Sequence, residues 1–221
     1  LGETGSCTNN TFSGTGNWSD GTKWTCGAPP NSTDNVTIAA SANATLDVDF
    51  TVAGSLVMTA TSTLTVNPTR TLTVSGTANF AGQSVTFKSD NTGTASLGQV
   101  TGSVTGATNV TVERYIPNNN FRSWRLLSVP VTTSQSIRQA WQEGDANPLP
   151  KQNNVPGYGT QITGVYNTQA AAAAAGFDST SVQAAMLRWN GASWSNITNT
   201  TQPINNFSSY FLYIRGDRSL S

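Results

Sequence analysis

The chain has 221 residues, which suffices for one large β domain or two smaller ones, and its 11 basic side chains balance 11 acidic ones. Only 10% of the residues are charged, so there is no basic stripe for nucleic acid and no polybasic run for an anionic membrane. There is no histidine, the commonest general base and metal ligand, and no apolar run reaches the roughly 20 residues of a membrane span. We therefore predict a protein that uses no cofactor, does not insert into a membrane and is not an enzyme.

Residues 1–35 are predicted to form an N-terminal cap. The segment is rich in Gly, Asn, Ser and Thr and contains Trp18 and Trp24. A cap of this kind would cover the apolar end and the unpaired strand edges of a repeat structure. Cys7 and Cys26 cannot alone supply a four-ligand zinc site, so we predict a disulfide made in an oxidising compartment. The alternative is a pair of free, buried thiols.

Residues 36–104 carry short apolar pairs at positions i and i+2, the spacing of a β-strand with one buried face. Three similar triplets stand out at residues 46–48, 64–66 and 72–74, reading Leu-Asp-Val, Leu-Thr-Val and Leu-Thr-Val. A parallel β-helix and an antiparallel sandwich would both satisfy the pattern. We favour the β-helix, a short parallel β-solenoid, because near-identical triplets can stack on one another from turn to turn.

Residues 105–221 are predicted to form a second domain made mainly of strands. Alternating apolar residues indicate strands over residues 110–116, 124–131 and 210–214. Asn190 and Gly191 stand between two apolar runs, a pattern typical of a hairpin with a type I′ turn.

Two short helices are predicted within this domain. Thr133 or Ser134 would cap a helix that ends near Gly144, and the alanine run at residues 170–175, followed by Gly176, predicts the other. The whole chain is thus predicted to be all-β, with a capped solenoid followed by a β-sandwich or jelly-roll-like domain with small helical insertions.

Carboxylates are the only candidates for paired acid–base chemistry, as in glycoside hydrolysis, or for calcium binding. Asp47 and Asp49 are two residues apart in a predicted strand, so we expect both on its solvent face, as ordinary surface charge. Glu143 and Asp145 flank a glycine beside Trp141, which favours a turn over a catalytic pair. Glu113 has no obvious partner.

Two further features have functional alternatives. Arg215, Gly216 and Asp217 match the tripeptide that cell-adhesion receptors recognise, and the alternative is a solvated turn. For the tryptophans we favour packing in the core and the cap, and the alternative for three of the six is a platform on which sugar rings stack. These three are Trp18, Trp24 and Trp141.

An ordered set of motifs spans nearly the whole chain, namely residues 17–19, 27–30, 34–38, 64–66, 72–74, 112–117, 124–130, 141–144, 157–159, 176–178 and 215–218. Together they resemble large secreted surface proteins of Bacteroidetes that are exported by the type IX secretion pathway. The opening is also similar to the G8 type of β-solenoid domain. Members of the first group continue into a sorting domain, so we expect the chain to be a processed piece or part of a longer protein.

The resemblance implies an extracellular or cell-surface protein and brings no catalytic residues. It also implies that residues 215–218, Arg-Gly-Asp-Arg, are a recurring part of the fold rather than a receptor motif. We therefore predict a structural or adhesive surface protein, including a subunit of a surface filament or matrix, that associates with itself or with other surface proteins. The alternative is a carbohydrate-binding module of a secreted protein, with glycans as partners.

Overall fold

The computed structural model describes residues 7–116, 122–142 and 159–215. The chain divides into two compact units, Leu1–Ile116 and Pro117–Ser221. Strands account for 42% and helices for 7% of the structure, so the predicted all-β class with small helical insertions is confirmed. The first unit extends in the chain beyond the predicted boundary at residue 104, because the strand Val110–Val112, predicted as part of the second domain, pairs with Val85–Phe87 of the solenoid.

The first unit is a parallel β-solenoid of about five turns. Its strands, in chain order, are β1 (Asn9–Phe12), β2 (Thr15–Asn17), β3 (Asn35–Ile38), β4 (Asn43–Leu46), β5 (Phe50–Val52), β6 (Ser55–Met58), β7 (Thr63–Val66), β8 (Thr71–Val74), β9 (Thr77–Asn79), β10 (Ser84–Phe87), β11 (Ser89–Asp90), β12 (Gly93–Thr94), β13 (Ser96–Val100), β14 (Ser103–Thr105) and β15 (Val110–Val112). The order β1-β3-β6-β9-β14 makes the first sheet, β2-β4-β7-β10-β15 the second and β5-β8-β13 the third. Strands β11 and β12 form a small antiparallel hairpin that projects between β10 and β13.

The core of the solenoid follows from the period of two in each strand. Leu46, Val66 and Phe87 lie in register across the second sheet and are almost completely buried. Most residues between the buried ones are Thr, Ser or Asn, with Val57 an exception, and they suit an exposed strand face because they are polar or β-branched. Each turn therefore adds one layer of apolar side chains to a continuous core.

The Leu-x-Val triplets do not stack on one another as predicted. Residues 64–66 and 72–74 lie in β7 and β8, two sides of the same turn, and β7 is in register with residues 44–46 instead. In the earlier triplet the strand ends at Leu46, and Val48 is exposed. The true repeat is the whole turn, in which Asn35 pairs with Ser55 and Ser55 with Thr77.

A glycine column marks the corner between the third sheet and the first. Gly54, Gly76 and Gly102 each follow a Val-x pair, and each amide donates to a backbone carbonyl of the preceding turn. A Cβ on Gly54 would lie 2.5 Å from the carbonyl oxygens of Thr33 and Asp34, and at Gly76 and Gly102 the overlap with backbone oxygens would be greater. The turns can stack this closely only because these three positions have no side chain.

The corner between the first and second sheets holds residues in the left-handed region. Ser41, Thr61 and Gly82 occupy equivalent positions in successive turns, with φ of 62°, 61° and 74°. The hydroxyls of Ser41 and Thr61 are 2.9 Å apart and share a hydrogen bond. A left-handed backbone suits glycine, whereas it is unfavourable for β-branched Thr61.

We expect Thr61→Asn to raise the free energy of unfolding by about 0.5–1 kcal/mol, because Asn tolerates the left-handed region far better than threonine does. Urea denaturation followed by far-UV circular dichroism would measure the change. Thr65→Asn is the control, since the same replacement within a strand should lower stability. If Thr61→Asn lowered the free energy of unfolding as much as Thr65→Asn does, the backbone at this corner would not be left-handed in solution.

The predicted cap is, in its described part, the first turn of the solenoid. Strands β1 and β2 pair in parallel with β3 and β4. After a short 3-10 turn at Gly21–Lys23, the chain runs antiparallel along the free edge of β1, where Phe12 bridges Trp24. Cys7 and Cys26 are joined, as predicted, with their Cα atoms 6.0 Å apart. The disulfide thereby fastens the start of β1 to the end of the first turn.

Removal of the disulfide by Cys7→Ser together with Cys26→Ser should lower the free energy of unfolding by about 3 kcal/mol, because the bond closes a loop of moderate length in the unfolded chain. Urea denaturation of the oxidised protein and the double variant would measure the difference. Reductant should destabilise the native protein by a similar amount and leave the variant unchanged. An equally stable double variant would contradict a stabilising role.

The second unit is built on one antiparallel sheet. Its elements, continuing in chain order, are β16 (Ser123–Ser128), α1 (Ile137–Trp141), β17 (Thr163–Gly164), α2 (Gln169–Ala174), β18 (Ser179–Thr180), β19 (Met186–Trp189), β20 (Trp194–Asn196) and β21 (Ser209–Ile214). The antiparallel sheet has the order β16-β21-β19-β20, and β17 pairs in parallel with β18. Within the described ranges there is thus one large sheet, not the two facing sheets of a jelly roll.

The local predictions for this unit hold with shifted boundaries. Ser136, not Thr133 or Ser134, caps α1 in a reciprocal capping box with Gln139. Helix α2 ends before Gly176, which has a positive φ as expected of a C-terminal glycine.

The hairpin predicted at Asn190 is confirmed, but its turn differs from type I′. Trp189 pairs with Trp194, and the Asn190 amide donates to the carbonyl of Ser193. The central residues are therefore Gly191 and the alanine after it, and of the four loop residues only Gly191 has a positive φ. The Asn190 side chain accepts the Ser193 amide at 2.8 Å, which moves the turn one residue along the chain.

Candidate functional site

The described charged residues of the solenoid, apart from Asp34, follow strands of the second sheet in the chain, in the segments that lead towards the third side. We call this region the charged edge; it comprises Asp20, Lys23, Asp47, Asp49, Arg70, Lys88, Asp90, Glu113 and Arg114. Asp34 is buried and accepts the Asn31 amide at 2.7 Å. The outward faces of the sheets therefore carry no charge in the part of the solenoid described.

Asp47 and Asp49 were predicted to share one strand face, and this is wrong. Both follow the end of β4, within the corner, and they bond to opposite neighbours. Asp47 accepts the amide and the hydroxyl of Ser19 in the preceding turn, at 3.0 and 2.5 Å. Asp49 accepts the Thr71 amide of the following turn at 2.9 Å. The two carboxylates connect successive turns instead of converging on one point.

Glu113 plays a similar role at the far end of the charged edge. Its carboxylate accepts from the Lys88 ammonium at 2.8 Å and from the Ser89 amide at 3.2 Å. Glu143 and Asp145 lie outside the described residues. Among the residues described, no three His, Cys, Asp or Glu side chains come together as metal ligands would.

Asp20 and Asp90 repeat one local motif, Asp-x-Thr. In each case the carboxylate accepts hydrogen bonds from the hydroxyl and the backbone amide of the threonine two residues later. The distance from the hydroxyl oxygen to the carboxylate is 2.6 Å in both. Hydrogen bonds from the Thr22 hydroxyl and amide lower the pKa of Asp20, and those from Thr92 lower the pKa of Asp90. These carboxylates stabilise tight turns and stay ionised.

Two of the three tryptophans considered for sugar stacking are buried in the first turn, as the favoured packing role requires. Trp18 and Trp24 are 1% and 4% exposed, and their ring centroids are 4.8 Å apart. The Trp24 indole donates to the Trp18 carbonyl at 2.7 Å. Neither ring face is open to a sugar, so these two residues serve packing. Trp141 is half-buried and meets the Tyr210 ring edge-on at 5.1 Å.

The outer face of the four-stranded sheet instead presents an aromatic strip. Its members are Trp124, Trp189, Trp194, Phe211 and Tyr213. In β21 the buried Tyr210, Leu212 and Ile214 alternate with the two members of the strip on that strand. Phe211 lies between Trp124 and Trp194, with ring centroids at 4.8 and 5.6 Å. The strip reaches from one edge strand to the other, and its three indoles are 37–40% exposed.

The sequence does not reveal this strip as a unit, because its residues come from three separate stretches of the chain. The period of two in residues 209–214 was a usable signal, since it places Phe211 and Tyr213 on one side and the buried Tyr210 and Leu212 on the other.

Arg215 is held within the second unit. Its guanidinium donates to the Thr163 hydroxyl at 3.1 Å and lies over the Tyr213 ring at 5.2 Å. Partial burial, and then the positive charge of Arg122, lowers the pKa of Arg215. Gly216 and Asp217 lie outside the described residues. An arginine with these contacts is less available to a receptor than one on a solvated turn.

A buried polar centre connects α1 with the turn after α2. The Asp178 carboxylate accepts the Ile162 amide at 2.7 Å and the Gln142 side-chain amide at 2.9 Å. Gln142 and Arg138 also donate to the Gly176 carbonyl. Both Gln142 and Asp178 are almost fully buried, so this network fixes the fold of the unit and offers no open site.

Comparisons with models of known families, with curated proteins and with solved structures find no match to the chain. No described helix is both long and apolar enough to cross a membrane.

Proposed function

We propose that the chain is a structural and adhesive module of an extracellular surface protein, exported as the resemblance to Bacteroidetes type IX secretion substrates implies. The observation that carries the proposal is the solenoid itself. Its turns are joined by parallel strands, by the stacked glycine column and by carboxylates that connect one turn to the next. This is the construction of a rigid spacer or filament element, and the Cys7–Cys26 disulfide is compatible with an oxidising environment.

Sedimentation velocity and negative-stain electron microscopy of the purified chain at rising concentration would test the filament form of the proposal. We expect linear assemblies that lengthen with concentration, because a solenoid can associate end to end. Monodisperse single particles at the highest concentration would overturn it. Attachment of beads coated with the chain, compared with beads coated with an unrelated β protein, would test adhesion, and equal attachment would contradict it.

Carbohydrate binding is a second candidate, and the aromatic strip favours it. Exposed indoles are the usual platforms for the apolar faces of sugars, and Asn196 lies on the same side of β20 as Trp194. The central ring, Phe211, has a neighbouring indole on each side, so the exposed indoles Trp124, Trp189 and Trp194 are the residues suited to stacking.

A glycan array followed by calorimetry would test this second candidate. Trp189→Ala should abolish binding of any glycan that the native chain binds on the array. Phe207→Ala is the control, because Phe207 is also exposed, at 82%, but does not belong to the aromatic strip. The absence of any glycan ligand, or equal losses in both variants, would remove carbohydrate binding from consideration.

A further inference from the structure

The outer face of the second sheet carries a straight column of threonines. Thr45, Thr65, Thr86 and Thr111 come from β4, β7, β10 and β15 and pair in register from one strand to the next. Asn17 of β2 continues the column by pairing with Thr45. Parallel pairing places these residues about 4.8 Å apart, so the column repeats at the strand spacing.

The hydroxyls of this column face solvent without internal partners. Within the described residues none of these four side chains makes a hydrogen bond, whereas the neighbouring column on the same face is linked internally. There the side-chain amide of Asn43 donates to the Thr15 hydroxyl, and the Thr63 hydroxyl donates to the side-chain oxygen of Asn43. Thr45, Thr65 and Thr86 are half-buried and Thr111 is exposed, so methyl and hydroxyl groups share the surface.

The rest of this face excludes the commoner ligand classes. Its outward positions hold only Thr, Ser and Asn, namely Thr15, Asn17, Asn43, Thr45, Thr63, Thr65, Ser84, Thr86 and Thr111. Sugar rings need an aromatic face, and charged polymers and minerals need opposite charge, and this surface has neither. What it offers is a repeating, uncharged lattice of hydroxyl and methyl groups.

We propose that this threonine face binds ice. Neighbouring threonines of the column lie about 4.8 Å apart. This spacing is close to the repeat of water oxygens along rows on a prism face of ice. Hydroxyls with no protein partner can hold water at these positions, and the methyl groups between them order the adjacent water. The backbone pairing of five strands keeps the array rigid, so little conformational entropy is lost on binding.

This inference does not depend on the proposed structural and adhesive role. It concerns a face of the solenoid, whereas that role concerns the assembly of the whole module. A chain that forms filaments and has no effect on ice growth would overturn only the inference made here.

Thermal hysteresis and inhibition of ice recrystallisation by the purified full chain test the proposal. We expect hysteresis that rises with protein concentration, and its loss in Thr65→Tyr, which places a large ring at the centre of the column. Thr37→Tyr is the matched control on the first sheet, where Val57 interrupts the equivalent column, and it should retain activity. Circular dichroism checks that both variants are folded.

Thr65→Ser keeps the hydroxyl, removes one methyl group and preserves the fold, so it remains informative if the tyrosine variant does not fold. We expect it to lower the hysteresis measurably. A native chain without hysteresis or inhibition of recrystallisation would overturn the proposal. Equal losses in the Thr65 and Thr37 variants, or unchanged activity in Thr65→Ser, would do the same.

Discussion

Gly76→Ala is expected to lower the free energy of unfolding by about 3 kcal/mol or more, because the added methyl group would overlap the backbone of the preceding turn. The nearest atoms are the carbonyl oxygens of Gly54 and Ala53, and Gly102 stacks against Gly76 from the other side. Neither neighbour is a side chain that can rotate away. The overlap can be relieved only by separating turns that are joined by the hydrogen bonds of Ser75 and Gly76 to the Val52 carbonyl, at 2.9 and 2.8 Å.

Urea denaturation followed by far-UV circular dichroism would measure this loss, and hydrogen exchange would locate it. The matched control is Ser75→Ala, which changes the adjacent, exposed residue of the same corner and should cost less than about 0.5 kcal/mol. Faster exchange in Gly76→Ala should spread from β6 and β9, the strands that flank the corner in the stack. A Gly76→Ala variant as stable as the control would show that the turns are farther apart in solution.

The strands of the solenoid could be predicted because each of them buries alternate residues, and that signal is local. The stacking could not, because similar triplets at residues 64–66 and 72–74 occupy two sides of one turn. A strand needs the same apolar pattern on any side of the solenoid, so triplets alone do not reveal the repeat. The Val-x-Gly sequence before β6, β9 and β14 was the better signal, since only the close approach of turns at one corner requires that glycine.

The candidate sites were harder to predict, because exposure depends on contacts between distant residues. Trp18 and Trp24 belong to a polar, glycine-rich segment, so the sequence leaves sugar stacking open beside the favoured packing role, and the structure decides for packing because Phe12 and Phe50 enclose them. The alternation of Leu46 and Val48 predicts that Asp47 lies on a strand, but the strand ends at Leu46 and the chain turns there. In both cases packing across turns, which no local pattern records, decided the outcome.

Trp18→Ala is expected to lower the free energy of unfolding by about 3–5 kcal/mol, because it would leave a cavity where the first and second turns meet. The Trp18 ring lies 4.8 Å from Trp24 of its own turn and 4.9 Å from Phe50 of the next, measured between centroids. Its amide also donates to the Thr45 carbonyl at 2.7 Å, which holds the side chain inside the stack. Hydrogen exchange in β1 to β4 and urea denaturation would measure the loss.

Two variants separate the effect of the cavity from the effect of losing any tryptophan. Trp194→Ala removes an indole that is 40% exposed in the second unit, and should cost less than about 1 kcal/mol. Trp18→Phe keeps an aromatic ring in place and removes an indole N–H that is buried without a hydrogen-bond partner among the described residues, so it should cost much less than Trp18→Ala. Equal losses in Trp18→Ala and Trp194→Ala would mean that the first turn is not part of the cooperative core. If Trp18→Phe lowered the free energy of unfolding as much as Trp18→Ala, then the contacts of an aromatic ring with Trp24 and Phe50 would not explain the contribution of Trp18.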